Sequence, residues 1–359
     1  MGRDDTDSVE LRTEITELLG RTPSQIRRIQ AGLGHRHFFR LHFEDGLAPE
    51  SLIARVEPKG TRKDLAGQEP ELEPIRAFLE QAGLPVPRSF ANTKHIQILE
   101  DLGENSLEKV ASESNPARCN ELYARACALI PRLQQLPAPT GGHVEAFRRE
   151  WDRDLVASKA QKWLDWSFPL IEGRSAGPLE RKTLSEAFDA IALQCRQTPL
   201  RLAHRDFKAA NLHQRPHSEE VEWVMIDLQG AFLAPPEYDL VCLLRDAHVA
   251  LPESQIENHL RDIRLELPDR PDEEIFMNRF NMITLTRVSK DLSHYLHAAT
   301  HRKDERYLAH IPQALSNLKE AARRLTGSGP AIGPPIGPLL EVIEALPDGI
   351  ELPLPGRNA

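Results

Sequence analysis

The residues best suited to chemistry lie in two short stretches: His204-Arg205-Asp206-Phe207-Lys208-Ala209-Ala210-Asn211, and Asp227 at the head of Asp227-Leu228-Gln229-Gly230. Each follows an apolar, strand-like run, Leu200 to Ala203 or Val221 to Ile226, which places the polar groups on loops at strand ends. Phosphoryl transfer needs little covalent help from a protein. It needs an oriented hydroxyl, a divalent metal on the phosphates and cancellation of developing charge. Asp206 can accept a hydrogen bond from a hydroxyl and take its proton. Asn211 offers a neutral oxygen and Asp227 a charged one, the hard donors that magnesium prefers. His204 is read as a structural brace, bonded to backbone near Asp227 or Asp239. The bland alternative is that Asp and Asn here only satisfy turn amides.

Two different kinds of element must position these groups. Up to residue 99 the sequence suggests strands and one helix: Phe38, Phe39, Leu41 and Phe43, then Leu52, Ile53 and Val56. Leu72, Ile75 and Leu79 recur at helical spacing between Pro70 and Leu84, and Gly83 ends that helix. A strand from Ile96 to Leu99 then leads into Glu100-Asp101-Leu102-Gly103, where we place a boundary between lobes. In this first lobe Gly32 and Gly34, with Arg36 beside them, precede a strand, and their bare backbone can approach phosphate. A lone Gly-x-Gly is also an ordinary turn. Arg55 ends Leu52-Ile53-Ala54-Arg55 where the kinase pattern V-A-I-K has its Lys, a likeness that implies contact with nucleotide phosphates and an acidic partner near Glu71 or Glu73. The alternative is a solvent-facing residue of an edge strand.

Beyond residue 100 the apolar period becomes helical: Leu122, Ala126, Leu129, Leu133 and Leu136, with a kink at Pro131; Leu184, Phe188, Ile191 and Cys195; Leu308, Ile311, Leu315, Leu318, Ala322 and Leu325. This second, catalytic lobe is assigned to residues 100–325, and the Gly- and Pro-rich 326–359 to a tail. A helix from Glu273 to His297 is the expected acceptor wall. Its apolar face is interrupted by Arg287, Lys290 and Asp291, which could orient a sugar or a carboxylate or could simply be solvated. Gln229 and Asp246 are further acceptor candidates. His294, His297 and His301 share one helical side, but no matching Cys or carboxylate motif supports a metal site there.

Composition excludes several classes. No run of about 18 apolar residues exists and the first residues are acidic and polar, so neither a membrane span nor a secretion signal is expected, and a cytoplasmic location is. A formal net charge of −9 opposes non-specific nucleic-acid binding. The four cysteines show no paired close spacing and are expected to be reduced.

His204 to Asn211 satisfies the H-R-D-x-x-x-x-N pattern of protein-kinase catalytic loops at every specified position. Together with HRHFFRL at 35–41, HRDFKAANL at 204–212, MIDLQGAFLAPPEYDLVCLLRDAHV at 225–249 and RYLAHIPQAL at 306–315, the chain resembles the aminoglycoside phosphotransferase and choline kinase-like superfamily. Within it, the chain is most similar to bacterial cell-wall amino-sugar kinases acting on the anomeric hydroxyl of N-acetylmuramate and N-acetylglucosamine. The resemblance implies an α+β, protein-kinase-like, two-lobed fold with a small β-rich N-lobe and a larger, mainly helical C-lobe. It implies ATP and Mg2+ as cofactors, Asp206 as base, Asn211 and Asp227 on magnesium, Glu100 to Leu102 against adenine, and Asp239 bracing the loop. Leu33 and Gly34 depart from the Asp and Ala often found there, and Arg55 replaces the usual Lys, an exchange that keeps charge but not shape.

Ala234-Pro235-Pro236-Glu237 imitates the A-P-E element of protein kinases, yet starts 234 − 227 = 7 residues after Asp227. That leaves no room for a peptide-binding activation segment, so a small acceptor is favoured, and the resemblance implies that it is a sugar. The competing readings are an aminoglycoside- or choline-type kinase and a nucleotide-binding module without catalysis.

Overall fold

The computed structural model describes residues 4–29, 36–57, 70–141, 143–216, 221–327 and 335–350. In chain order the first elements are α1 (Asp4–Leu19), β1 (Gln25–Ile29), β2 (His37–His42), β3 (Ser51–Val56), α2 (Leu72–Gln81), β4 (Ser89–Asn92) and β5 (Ile96–Glu100). There follow α3 (Leu107–Ser112), α4 (Pro116–Cys127), α5 (Leu129–Gln134), α6 (Arg153–Lys162), α7 (Phe168–Glu172), α8 (Pro178–Cys195), β6 (Arg201–Ala203), β7 (Leu212–Gln214), β8 (Trp223–Met225) and β9 (Phe232–Ala234). The last are α9 (Tyr238–Leu244), α10 (Glu253–Arg264), α11 (Glu273–His301), α12 (Ile311–Gly327) and α13 (Gly337–Glu344). The chain forms two compact units, one of Met1–Asn105 with His213–Gln229, the other of Ser106–Leu212 with Gly230–Ala359.

The first unit is built on a five-stranded antiparallel sheet in the order β1-β2-β3-β5-β4. Leu41, Leu52, Ala54, Ile96 and Ile98 bury one face of it together with Leu11 and Ile15 of α1. Each such leucine or isoleucine contributes roughly 1.5–3 kcal/mol on full burial. Sequence periodicity suggests one helix in this region, and α1 is a second. Its apolar residues are too sparse to announce a helix, and the sheet supplies the surface that Leu11 and Ile15 need. The helix around Ile75 forms as α2 with Leu72, Ile75 and Leu79 buried. Gly83, at φ +74, gives the left-handed turn that closes it.

The second unit is mainly helical. The run through Leu122 and Leu133 divides at Ala128 into α4 and α5, because Pro131 has no N–H and its ring crowds the preceding turn. Leu184, Phe188, Ile191 and Cys195 are buried along α8, as the spacing predicts. The helix expected from Glu273 to His297 extends further, as α11, from an Asp272 N-cap to His301. Residues 337–344, placed in a tail by their Gly and Pro content, instead form α13, which packs on α12 and α8 and buries Leu339, Leu340 and Ile343. Pro338 sits in its first turn, where a missing N–H is harmless. Among the described residues no helix is long and apolar enough to cross a membrane.

Candidate active site

In the helical unit, β6 pairs with β9 and ends at His204. The loop that follows is tied down from α9: Asp239 Oδ2 accepts from the His204 backbone N–H at 2.7 Å and Oδ1 from that of Arg205 at 3.0 Å. Burial pushes the Asp239 carboxyl up to about 6, although His204 and the two backbone donors draw it down. Arg205 takes φ +81, a left-handed conformation unusual for a non-glycine residue and characteristic of backbone held for a purpose. The His204 ring is buried edge-on against Phe207, with centroids 5.7 Å apart. Asp246, read as an acceptor contact, is instead buried beneath the loop. Its Oδ2 accepts from the Ala209 N–H at 3.3 Å and its Oδ1 from His248 Nδ1–H at 2.7 Å.

This bracing leaves the Asp206 carboxylate presented, with its side chain 35% exposed. Asp206 Oδ1 accepts from Arg287 Nη2 at 2.8 Å. Arg287 also donates to Asp291 Oδ1 at 2.8 Å, and Lys290 Nζ reaches the same oxygen at 3.1 Å. Burial works to raise the Asp206 carboxyl, but Arg287, Lys290, Arg205 and Lys208 hold it well below the usual carboxylate range. Arg287 is 5% exposed, so the solvated-face reading of this stretch fails there: burial costs this cation less because Asp206 and Asp291 are its partners. Asn211 donates its Nδ2 to Asp206 O at 2.8 Å, which turns its side-chain oxygen into the free end of the amide. On the next turns of α11, His294 meets Trp166 edge-on at 5.4 Å, and His297 stacks on Trp166 and on His301, each at 4.4 Å.

In the sheet unit, Asp227 follows β8 at φ +65, exposed, with its Oδ1 accepting from Gln229 Nε2 at 2.6 Å. Gln229, an acceptor candidate by sequence, is thus buried and bonded to Asp227. The Oδ1 of Asn211 and the carboxylate of Asp227 both have the donor chemistry that fits magnesium. Glu100 is fixed by Arg215, Nε to Oε1 at 3.2 Å, and accepts the Arg88 N–H at 3.1 Å, while Leu102 is buried. Gly32 and Gly34 lie outside the described residues.

For Arg55 the edge-strand alternative fails and the expected acidic pairing differs. The residue lies on the central strand of the sheet, not an edge, and is 8% exposed. Its acidic partner is Glu57, Nη2 to Oε1 at 2.9 Å, and the same oxygen accepts from Arg36 Nε at 2.7 Å. Glu73, one of the two expected partners, is engaged by Arg76 at 2.7 Å and by Gln97 Nε2 at 2.6 Å. Gln97 stands opposite Arg55 across the β3–β5 ladder, and Arg76 is one helical turn from Glu73, so both reach Glu73 by local geometry. Sequence reasoning had no signal for Glu57. It also passed over Lys159, Lys162 and Trp166, which only the packing of α6 and the following π-helical turn against α11 brings beside Lys290.

Residues 25–273 match the family model described as phosphotransferase enzyme family (APH). An N-acetylmuramate/N-acetylglucosamine kinase of Pseudomonas aeruginosa is 25% identical over 291 residues, 77% of this chain and 78% of that one. Among solved structures, the ternary complex of APH(2'')-IIa with streptomycin and ATP superposes with a TM-score of 0.56 at 15% identity, covering 86% of this chain and 95% of that one. The choline kinase LicA of Streptococcus pneumoniae gives 0.57 at 11% identity, over 88% and 99%. The fold is the protein-kinase-like one that these enzymes share.

Proposed function

Because the chain belongs to the phosphotransferase enzyme family and is a small-molecule kinase, we propose that it moves the γ-phosphoryl group of ATP to a hydroxyl of an amino sugar. The acceptor is a cell-wall sugar of the N-acetylmuramate or N-acetylglucosamine kind, the compounds named for its relative. The observation that carries this reading is the Asp206 carboxylate, partly exposed on a braced loop and gripped by Arg287.

Asp206 accepts the hydrogen bond of the attacking hydroxyl and so aims its oxygen at phosphorus. A carboxylate held this acidic is a weak proton sink, and a loose transition state asks for little proton transfer early. The proton passes to Asp206 as the new O–P bond forms and the bond to the ADP oxygen breaks, with the bonding pair leaving on ADP. Arg287 keeps the carboxylate ionised and fixes its rotamer. Asn211 and Asp227 would hold magnesium, which when bound neutralises phosphate charge. Arg36, Arg55, Glu73, Glu100 and Leu102 serve the nucleotide. The cations beside Asp206 disfavour choline and aminoglycosides, which are themselves positively charged.

A screen of amino sugars, aminoglycosides and choline with ATP and magnesium, read by phosphorus NMR, tests the proposal. A sugar phosphate whose formation needs Asp206 is expected. Turnover of choline or aminoglycosides alone would reject the acceptor class, and robust labelling of generic proteins would reject a small acceptor.

A further inference from the structure

The surroundings of Asp206 in the helical unit hold more positive charge than the loop chemistry uses. Arg287, Lys290, Lys162 and Arg205 face two carboxylates, Asp206 and Asp291. Arg287 takes both, and Lys290 shares Asp291. Lys162, at the end of α6, has no carboxylate within 4.0 Å among the described residues. The polar partner of its Nζ is His294 Nε2 at 3.3 Å. That imidazole is neutral: burial, then Lys290 and Lys162, depress it to about 3. Lys159 Nζ lies buried over the rings of Trp151, at 4.7 Å, and Tyr238, at 5.1 Å, where burial and then Arg287 and Lys290 hold it well below the usual lysine range. Lys162 and Lys290 are half-buried and so open to a ligand, whereas Lys159 and Arg287 are enclosed.

An aromatic surface adjoins these ammonium groups. Trp166 lies one turn after Lys162, half-buried, with Lys162 Nζ 5.8 Å from its ring centroid. It stands in the π-helical turn Trp163–Ser167, a deviation that costs regular hydrogen bonding and is frequent at functional sites. Ser167 Oγ to Ser293 Oγ at 2.8 Å pins that turn to α11. An aromatic face beside these ammonium groups, one of which, Lys290, also acts on the Asp206 carboxylate, suits a ring carrying both hydroxyl and acid.

We propose that the acceptor carries a carboxylate, bound by the ammonium groups of Lys162 and Lys290 on the α6 and α11 faces beside Asp206. The inference rests on the sugar-kinase reading and narrows it. A carboxylate there relieves the repulsion felt by Lys162, whose ammonium form burial and the charge of Lys290 now destabilise.

The test uses acceptors paired to differ only by a carboxylate-bearing group: N-acetylmuramate against N-acetylglucosamine, and glucuronate against glucose. Full-length wild type is compared with Lys162→Gln, Lys290→Gln and Lys290→Arg, with melting curves confirming that each folds. Wild type is expected to favour the acidic member, and each Gln variant to lose about tenfold more kcat/KM on it than on the neutral member. Lys290→Arg should retain most of the preference, and KM for ATP should stay unchanged throughout. Equal use of both members by wild type, equal losses on both, or an effect on ATP KM instead overturns the proposal. If no sugar turns over, the sugar-kinase reading falls, and thermal shift judges the carboxylate site separately. Lysine-dependent stabilisation by the acids and not by their neutral partners supports it, and its absence rejects it.

Discussion

The catalytic loop of the helical unit and the Arg55 strand of the sheet unit both present charged side chains that a phosphotransferase would use, yet they are held in opposite ways. The loop is fastened from beneath by the buried carboxylates Asp239 and Asp246 through its own backbone N–H groups. Arg55 is held side chain to side chain, by a Glu57 that is 29% exposed and shared with Arg36. Backbone clamps fix where a reacting atom sits. A shared, partly solvated ion pair fixes only charge, and tolerates exchange of its members.

That contrast can be broken by experiment. Asp206→Asn keeps shape and removes the proton acceptor, and should lower kcat by on the order of 10²–10⁴-fold with little change in nucleotide binding; near-normal turnover in a coupled ADP assay would remove Asp206 from the mechanism. Asp239→Ala strips the acceptors from two backbone donors. It should destabilise folding by about 2–5 kcal/mol in urea melts and cut kcat at least tenfold; unchanged kcat would mean that the loop does not need its clamp.

A smaller effect is expected from pH. The unfolded imidazole of His294 takes a proton as pH falls through its ordinary 6.5, while the folded one, buried beside Lys290 and Lys162, resists protonation down to about 3. Its contribution to stability is present above 6.5 and is lost as pH falls toward 3. Wild type should therefore lose stability on acidification more steeply than His294→Gln between about pH 4 and pH 7. Parallel curves would show that this imidazole titrates like a free one. The smallest effect belongs to Arg55→Lys, which keeps the charge that Glu57 sees and that a bound phosphate would see; KM for ATP should move by no more than about threefold. A loss as large as that of Asp239→Ala would erase the distinction between clamp and shared pair.

Much of the site was legible because it is local. The loop from His204 to Asn211 carries its residue types at fixed spacing, and the helix ending at Gly83 and the long helix α11 announce themselves by apolar period and caps. The misreadings share one cause. Arg55 was paired with Glu71 or Glu73 by analogy of position, but the choice among Glu57 and Glu73 depends on Gln97 and Arg76, which the sheet register and α2 bring in. The helix α13 hides in a Gly- and Pro-rich stretch because its three buried side chains matter only when α8 and α12 are there to cover them.

The sequence by itself determined that this chain is built from a strand-rich and a helix-rich part and carries an acid, an amide and a second acid suited to phosphoryl transfer, since residue type and spacing are properties of the chain alone. The tertiary structure decided how Asp206 is tuned, because Arg287 lies 81 residues away and meets it only through the packing of α11. It also decided what stands beside that carboxylate. Charges far apart in sequence act on one another only at distances of a few ångströms, and folding sets those distances.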